Sequence, residues 1–96
     1  MIKINLIKSN DQIKGLEIKG HAMSAAKGKD LICAAVSAIV TGGFNAFNDE
    51  DIIVCSLEEG YAKVEVASER GQLILETIIV QLKTIEESYP KNIKIK

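Results

Sequence analysis

The chain has 96 residues, 47% of them apolar and only 4% aromatic with no Trp, which allows one domain over 1–96 with a modest aliphatic core of Ile, Val, Leu and Ala. A net charge of -1, mixed in sign and without a basic stripe, argues against nucleic acid as a primary ligand and against a basic membrane-surface helix. The longest apolar run, Leu31 to Val40, falls far short of the roughly 20 residues that span a bilayer, and residues 1–20 hold no apolar signal core, so a cytoplasmic protein is expected.

Ile2, Ile4 and Leu6 alternate with other residues, the period of a strand over 2–7. Ser9, Asn10 and Asp11 form a turn cluster. A second strand follows over about 13–20, with Leu16 and Ile18 on one face and Glu17 and Lys19 on the other, and the two pair as a hairpin. Residues 20–29 are small and Gly-containing, a loop that is expected to be mobile. Asp30 reads as a helix N-cap. After it an apolar stripe at helical spacing runs through Leu31, Ile32, Cys33, Val36, Ile39 or Val40, Phe44 and Phe47. Ala34, Ala35 and Ala38 give this helix a thin side that can approach a sheet closely. Gly42-Gly43 interrupts the pattern and marks either a weakened last section or a close backbone contact.

Residues 52–57 are an apolar run, Glu58-Glu59-Gly60 is a turn, and Tyr61 to Ala67 alternates with Ala62, Val64 and Val66 on one face, a second hairpin. Ser68 can cap a second helix that begins near Gly71 and runs to about Ser88, with Pro90 marking its end. The first two turns of this helix are apolar nearly all round, more than one face against a sheet needs, and the surplus suggests a subunit interface. Ile93 and Ile95 can add a last short strand. The predicted fold is α+β: two hairpins each followed by a helix, one sheet with helices packed on it.

Two cysteines in a chain expected in the cytoplasm do not suggest a disulfide framework. With one His and no CxxC spacing they could not form a four-ligand zinc site without a carboxylate, and no metal or other cofactor is expected. Cys33 follows the cap by three residues, in the first helical turn, where unpaired N–H groups and the positive dipole end favour a thiolate. His21 ends a strand across the loop, which is long enough to fold the imidazole back onto the helix start. A Cys with a neighbouring His is the equipment of a thiol hydrolase, and free N–H groups near Cys33 could hold an oxyanion. The opposite reading is a small core cysteine in an Ala-rich helix and a lone surface His. Composition and spacing leave both open.

Gly20-His21-Ala22, then Gly28, Asp30 and Cys33-Ala34-Ala35-Val36-Ser37, resemble the ribosomal-processing cysteine protease family of bacteria. The match covers residues 20–37, and the length and element order fit the rest of the chain. The resemblance implies a homodimeric cysteine endopeptidase that removes the N-terminal extension of large-subunit ribosomal protein twenty-seven by cutting after an aromatic residue. It implies Cys33 as nucleophile and His21 as general base.

Asp30 is a supporting residue with two readings, a cap or a third member that orients His21. Ser37, one turn below Cys33, could bond back to the Cys33 carbonyl. Gly20 and Gly28 supply loop freedom, functionally the hinges of a lid over a peptide. Ala22 and Met23 either line the substrate channel or fill space. Cys55 reads as a buried small residue, and Glu58, Glu59 and the run Asp49 to Asp51 as solvated turns. The competing function is a non-catalytic, ribosome-associated binding or dimerisation module, with no direct nucleic-acid contact expected.

Overall fold

Asn10 and Asp11 sit at φ 52° and 65°, the left-handed pair that a tight two-residue hairpin turn requires and that these side chains tolerate. They join strand β1, Ile2–Ser9, to strand β2, Gln12–Lys19, as an antiparallel hairpin. The computed structural model describes residues 1–20 and 30–96. In chain order these continue with helix α1, Leu31–Phe44, a 3-10 turn at Asp49–Asp51, strand β3, Ile52–Glu58, strand β4, Tyr61–Val66, helix α2, Glu69–Ser88, and strand β5, Ile93–Ile95. The α+β order expected from the sequence is the order observed.

The five strands form one sheet in the order β3-β4-β2-β1-β5. β2 and β4 pair antiparallel and so join the two hairpins, while β5 returns parallel to β1. Directly opposed residues share a face, and Ile4 opposite Ile18, Leu16 opposite Val64, and Ile18 opposite Ala62 put the buried side chains of the sheet on one side. α1 turns Ile32, Val36, Val40 and Phe44 towards that side at four-residue spacing, and α2 adds Leu75, Ile78, Ile79 and Leu82. Each such aliphatic side chain contributes about 1.5–3 kcal/mol when fully buried. Both helices therefore cover the same face. The opposite face is polar, and on it the Tyr61 hydroxyl donates to Glu17 Oε2 at 2.8 Å. That hydrogen bond, with Lys19 and Lys63 beside the carboxylate, lowers the Glu17 carboxyl, and the same bond, with desolvation and the Glu17 and Glu58 charges, raises the Tyr61 phenol.

The helices meet where α1 has no side chain. A Cβ at Gly43 would come 2.6 Å from Ile78 Cδ1, whereas one at Gly42 would meet nothing within 4 Å. Of the two readings of Gly42-Gly43, close contact is the observed one, and it belongs to Gly43 alone. No helix of the described residues is long and apolar enough to cross a membrane.

Three expectations need correction. Phe47 is not on the helix, which ends at Phe44 with Asn45 as its C-cap; its ring instead tilts against Phe44 with centroids 6.0 Å apart. Cys55 is exposed and not buried, because β3 is a sheet edge that the helix layer leaves uncovered; on it Ile53 is 70% and Leu57 46% exposed. Asp51 is not solvated but 2% exposed. Its carboxylate accepts the Asn48 amide at 2.8 Å and the Ser68 hydroxyl at 2.7 Å and pairs with the Arg70 guanidinium. The Asn48 amide, then Ser68 and Arg70, hold it below the ordinary aspartate range against the cost of desolvation. This cluster ties the 3-10 turn to the start of α2, where Ser68 Oγ accepts the Gly71 amide at 2.9 Å.

Candidate active site

Asp30 fixes where α1 begins. Its backbone is extended, and its Oδ1 accepts the amides of Ile32 at 3.1 Å and Cys33 at 3.0 Å. Its carbonyl accepts the Ala34 amide at 3.0 Å. An N-cap of this kind contributes about 1 kcal/mol to helix stability. The cap reading of Asp30 is thus observed, and it revises a second expectation. The amides of Ile32, Cys33 and Ala34 are engaged by Asp30, so in this arrangement they are not free for an oxyanion. The same carboxylate offsets part of the positive field at the helix start.

Cys33 is the third residue of α1, half-buried, and packs against the core. Ser37 and Thr41 follow it at one-turn intervals on the same side of the helix. These three line one wall of an open groove of about 250 Å³. The facing wall is the tip of the β3–β4 hairpin, Leu57 to Tyr61, and Ile2, Ile18 and Ala62 reach the groove from the sheet. The trough is open and its described lining mixes apolar and polar groups, which suits the side chains of a peptide. Among the described residues no cluster of three or more His, Cys, Asp or Glu could hold a metal ion.

Gly20 directly follows β2 at the groove with φ 92°, and a Cβ there would come 2.6 Å from the Met1 carbonyl oxygen. Its amide donates to the Gly60 carbonyl at 3.1 Å, which ties β2 to the hairpin tip. The glycine is required by that backbone. Ser37 is exposed on the groove wall. His21, Ala22, Met23 and Gly28 lie outside the described residues. Cys55 is on β3, where partial desolvation pushes its thiol up and away from the thiolate. The wall formed by Leu57 to Tyr61 escaped the sequence reading. Its turn was legible as Glu58-Glu59-Gly60, but its approach to α1 depends on the pairing of β2 with β4, which no local signal encodes.

The family model described as Cysteine protease Prp matches residues 1–94. The ribosomal processing cysteine protease Prp of Bacillus subtilis is 35% identical, over 99% of this chain and 96% of the relative. That of Mycoplasma genitalium is 38% identical, over 99% and 94%. Among solved structures, the ribosomal processing protease Prp of S. aureus with a covalently linked product peptide superposes with a TM-score of 0.88 at 28% identity, covering 100% of this chain and 98% of that one. A second structure of the same protease, with a substrate peptide, gives a TM-score of 0.81 at 28% identity over the same shares. The chain belongs to the Prp family and is a cysteine protease.

Proposed function

We propose that this Prp-family chain removes the N-terminal extension of large-subunit ribosomal protein twenty-seven, with Cys33 as nucleophile and His21 as general base. The observation that carries this reading is the position of Cys33, on the first turn of α1 in the wall of an open groove of peptide dimensions. The ribosomal role and the peptide substrate are taken from what the relatives are named for and hold. His21 follows Gly20 directly in sequence, and Gly20 lines the same groove.

In the proposed reaction His21 takes the Cys33 proton, and the sulfur attacks the carbonyl carbon of the scissile peptide bond. The C–N bond then breaks, the imidazolium gives its proton to the leaving amine, and a thioester remains. Water, deprotonated by His21, hydrolyses the thioester and restores the thiol. Asp30 and Ser37 support the site, Asp30 by holding the helix start. Gly20 and Gly28 hinge the segment between strand and helix, and Ala22 and Met23 line the substrate path. The protein works as a single cytoplasmic domain over 1–96, without cofactor and without direct nucleic-acid contact. It acts as a homodimer; Leu73 and Val80, 67% and 63% exposed and two turns apart on α2, form the apolar ridge that favours this.

The test is to incubate the pure protein with an extended precursor and read product masses. One cut that removes the extension is expected, lost in Cys33→Ala and in His21→Ala. Cleavage that survives in Cys33→Ala overturns the assignment.

A further inference from the structure

We propose that the open edge of β3 receives the substrate peptide as an added strand and so delivers its scissile bond to the groove beside Cys33. This rests on the processing activity proposed above and concerns how that substrate is held.

The sheet has two edges, and they differ. At β5 the outward amide of Ile95 donates to Glu86 Oε2 at 2.7 Å. A carboxylate on an edge donor is a guard against strand addition. At the other edge β3, among the described residues, pairs with β4 alone. From Ile52 to Leu57 it carries no charge, and Ile53 and Leu57 are 70% and 46% exposed. Its one irregularity is the bulge at Ile53, between Ile52 opposite Val66 and Val54 opposite Glu65.

The phase of the ladder decides which groups β3 offers. The Gly20 amide bonds the Gly60 carbonyl, and antiparallel alternation makes Ile18 with Ala62, then Leu16 with Val64, the next hydrogen-bonded pairs. Ala62 and Val64 therefore turn their backbone groups to β2. Their partners on β3, Leu57 and Cys55, turn theirs outward. Two amides and two carbonyls thus stand on the open side of β3 at the repeat of an added strand. The side chains of Leu57 and Cys55 point to the helix-covered side, since they oppose Ala62 and Val64. Leu57 also lines the groove that holds Cys33. A strand laid outside β3 turns every second side chain to that same side, next to the groove mouth. Continuity between edge and groove selects the substrate as occupant: one extended chain pairs with β3, crosses Leu57 and enters the groove.

The test uses the full-length protein and synthetic peptides spanning the precursor junction, each with one backbone N-methyl group outside the scissile amide. N-methylation at every second position of the paired segment should lower kcat/KM about tenfold, the effect of one lost hydrogen bond, with much smaller losses between. In Cys33→Ala, the bound unmodified peptide should slow hydrogen exchange at the Cys55 and Leu57 amides. Losses without alternation, or unchanged exchange across β3 with peptide bound, overturn the proposal while the processing activity stands. Slow exchange at β3 that depends on protein concentration without peptide gives the edge to a second copy and overturns it too. An unmodified junction peptide that is not cut overturns the processing reading itself, and strand addition of that substrate with it.

Discussion

The amide of Cys33 points at the carboxylate of Asp30, 3.0 Å from Oδ1. One side chain therefore fixes both the start of α1 and the seat of the proposed nucleophile. Asp30→Ala should destabilise the protein by about 1 kcal/mol in urea unfolding, while Asp30→Asn, which keeps the acceptor, should lose only a fraction of that. Cleavage should follow the same order. Activity lost equally in both variants would show that the charge, and not the cap, is what the site needs.

The two thiols should separate by reactivity. Cys55 is raised by desolvation, so near neutral pH it holds less thiolate than a free cysteine and should alkylate more slowly with iodoacetamide. Cys33, as the proposed dyad member, should alkylate much faster and should slow in His21→Ala. Peptide-resolved mass spectrometry reads both rates. Equal rates at the two positions would argue against the dyad.

Adjacent glycines should respond with opposite sign. Gly42→Ala meets open space and gains helix propensity, so it should stabilise by about 0.5–1 kcal/mol. Gly43→Ala drives a methyl into Ile78, which is 1% exposed, and overpacking of that kind costs about 1–3 kcal/mol. Its net effect should be destabilising. Thermal melts of the two variants, run side by side, decide the point.

Acid should find Asp51. Its carboxyl is lowered in the folded protein by the Asn48 amide, then Ser68 and Arg70. The stability this contributes is fully present above the ordinary aspartate range and is lost as pH falls through the lowered value. The groups facing it are Ser68 and Arg70, of which only Arg70 is charged, and it stays charged throughout this window. Asp51→Asn should lower the melting temperature at neutral pH and flatten its fall towards low pH. A variant with the parent's acid profile would place the sensitivity elsewhere.

The ridge on α2 should carry the proposed dimer. Leu73→Glu and Val80→Lys each put a charge where two apolar residues are exposed. Sedimentation should show a dimer for the parent chain and a shift to monomer for the variants. A parent chain that stays monomeric at working concentration defeats this part of the proposal.

Much of this molecule was legible from local chemistry. The alternation of Ile2 and Ile4, or of Ala62, Val64 and Val66, is set by one buried face, and both caps, Asp30 and Ser68, announce themselves by residue type and the apolar run that follows. What stayed hidden depends on neighbours remote in sequence. Cys55 sits in a run that looks buried, and only the strand order makes it an edge residue. Asp51 looks like one of three solvated acids until Asn48, Ser68 and Arg70 converge on it. The groove exists because β2 and β4 pair, which brings the tip of one hairpin to the helix that follows the other. The motif could mark the cysteine, but not the wall opposite it.

The hydrogen bond from Tyr61 to Glu17 lies on the sheet face opposite the two described helices. Tyr61 is also the residue at which the groove-lining hairpin tip turns into β4. The bond is therefore a tie-rod behind the wall. It anchors the tip to β2 from the rear while the Gly20 amide anchors it from the end. The support of the groove wall thus reaches through the sheet to the face opposite Cys33. Loosening it by Tyr61→Phe would let the opposite jaw of the groove drift without altering Cys33 or His21.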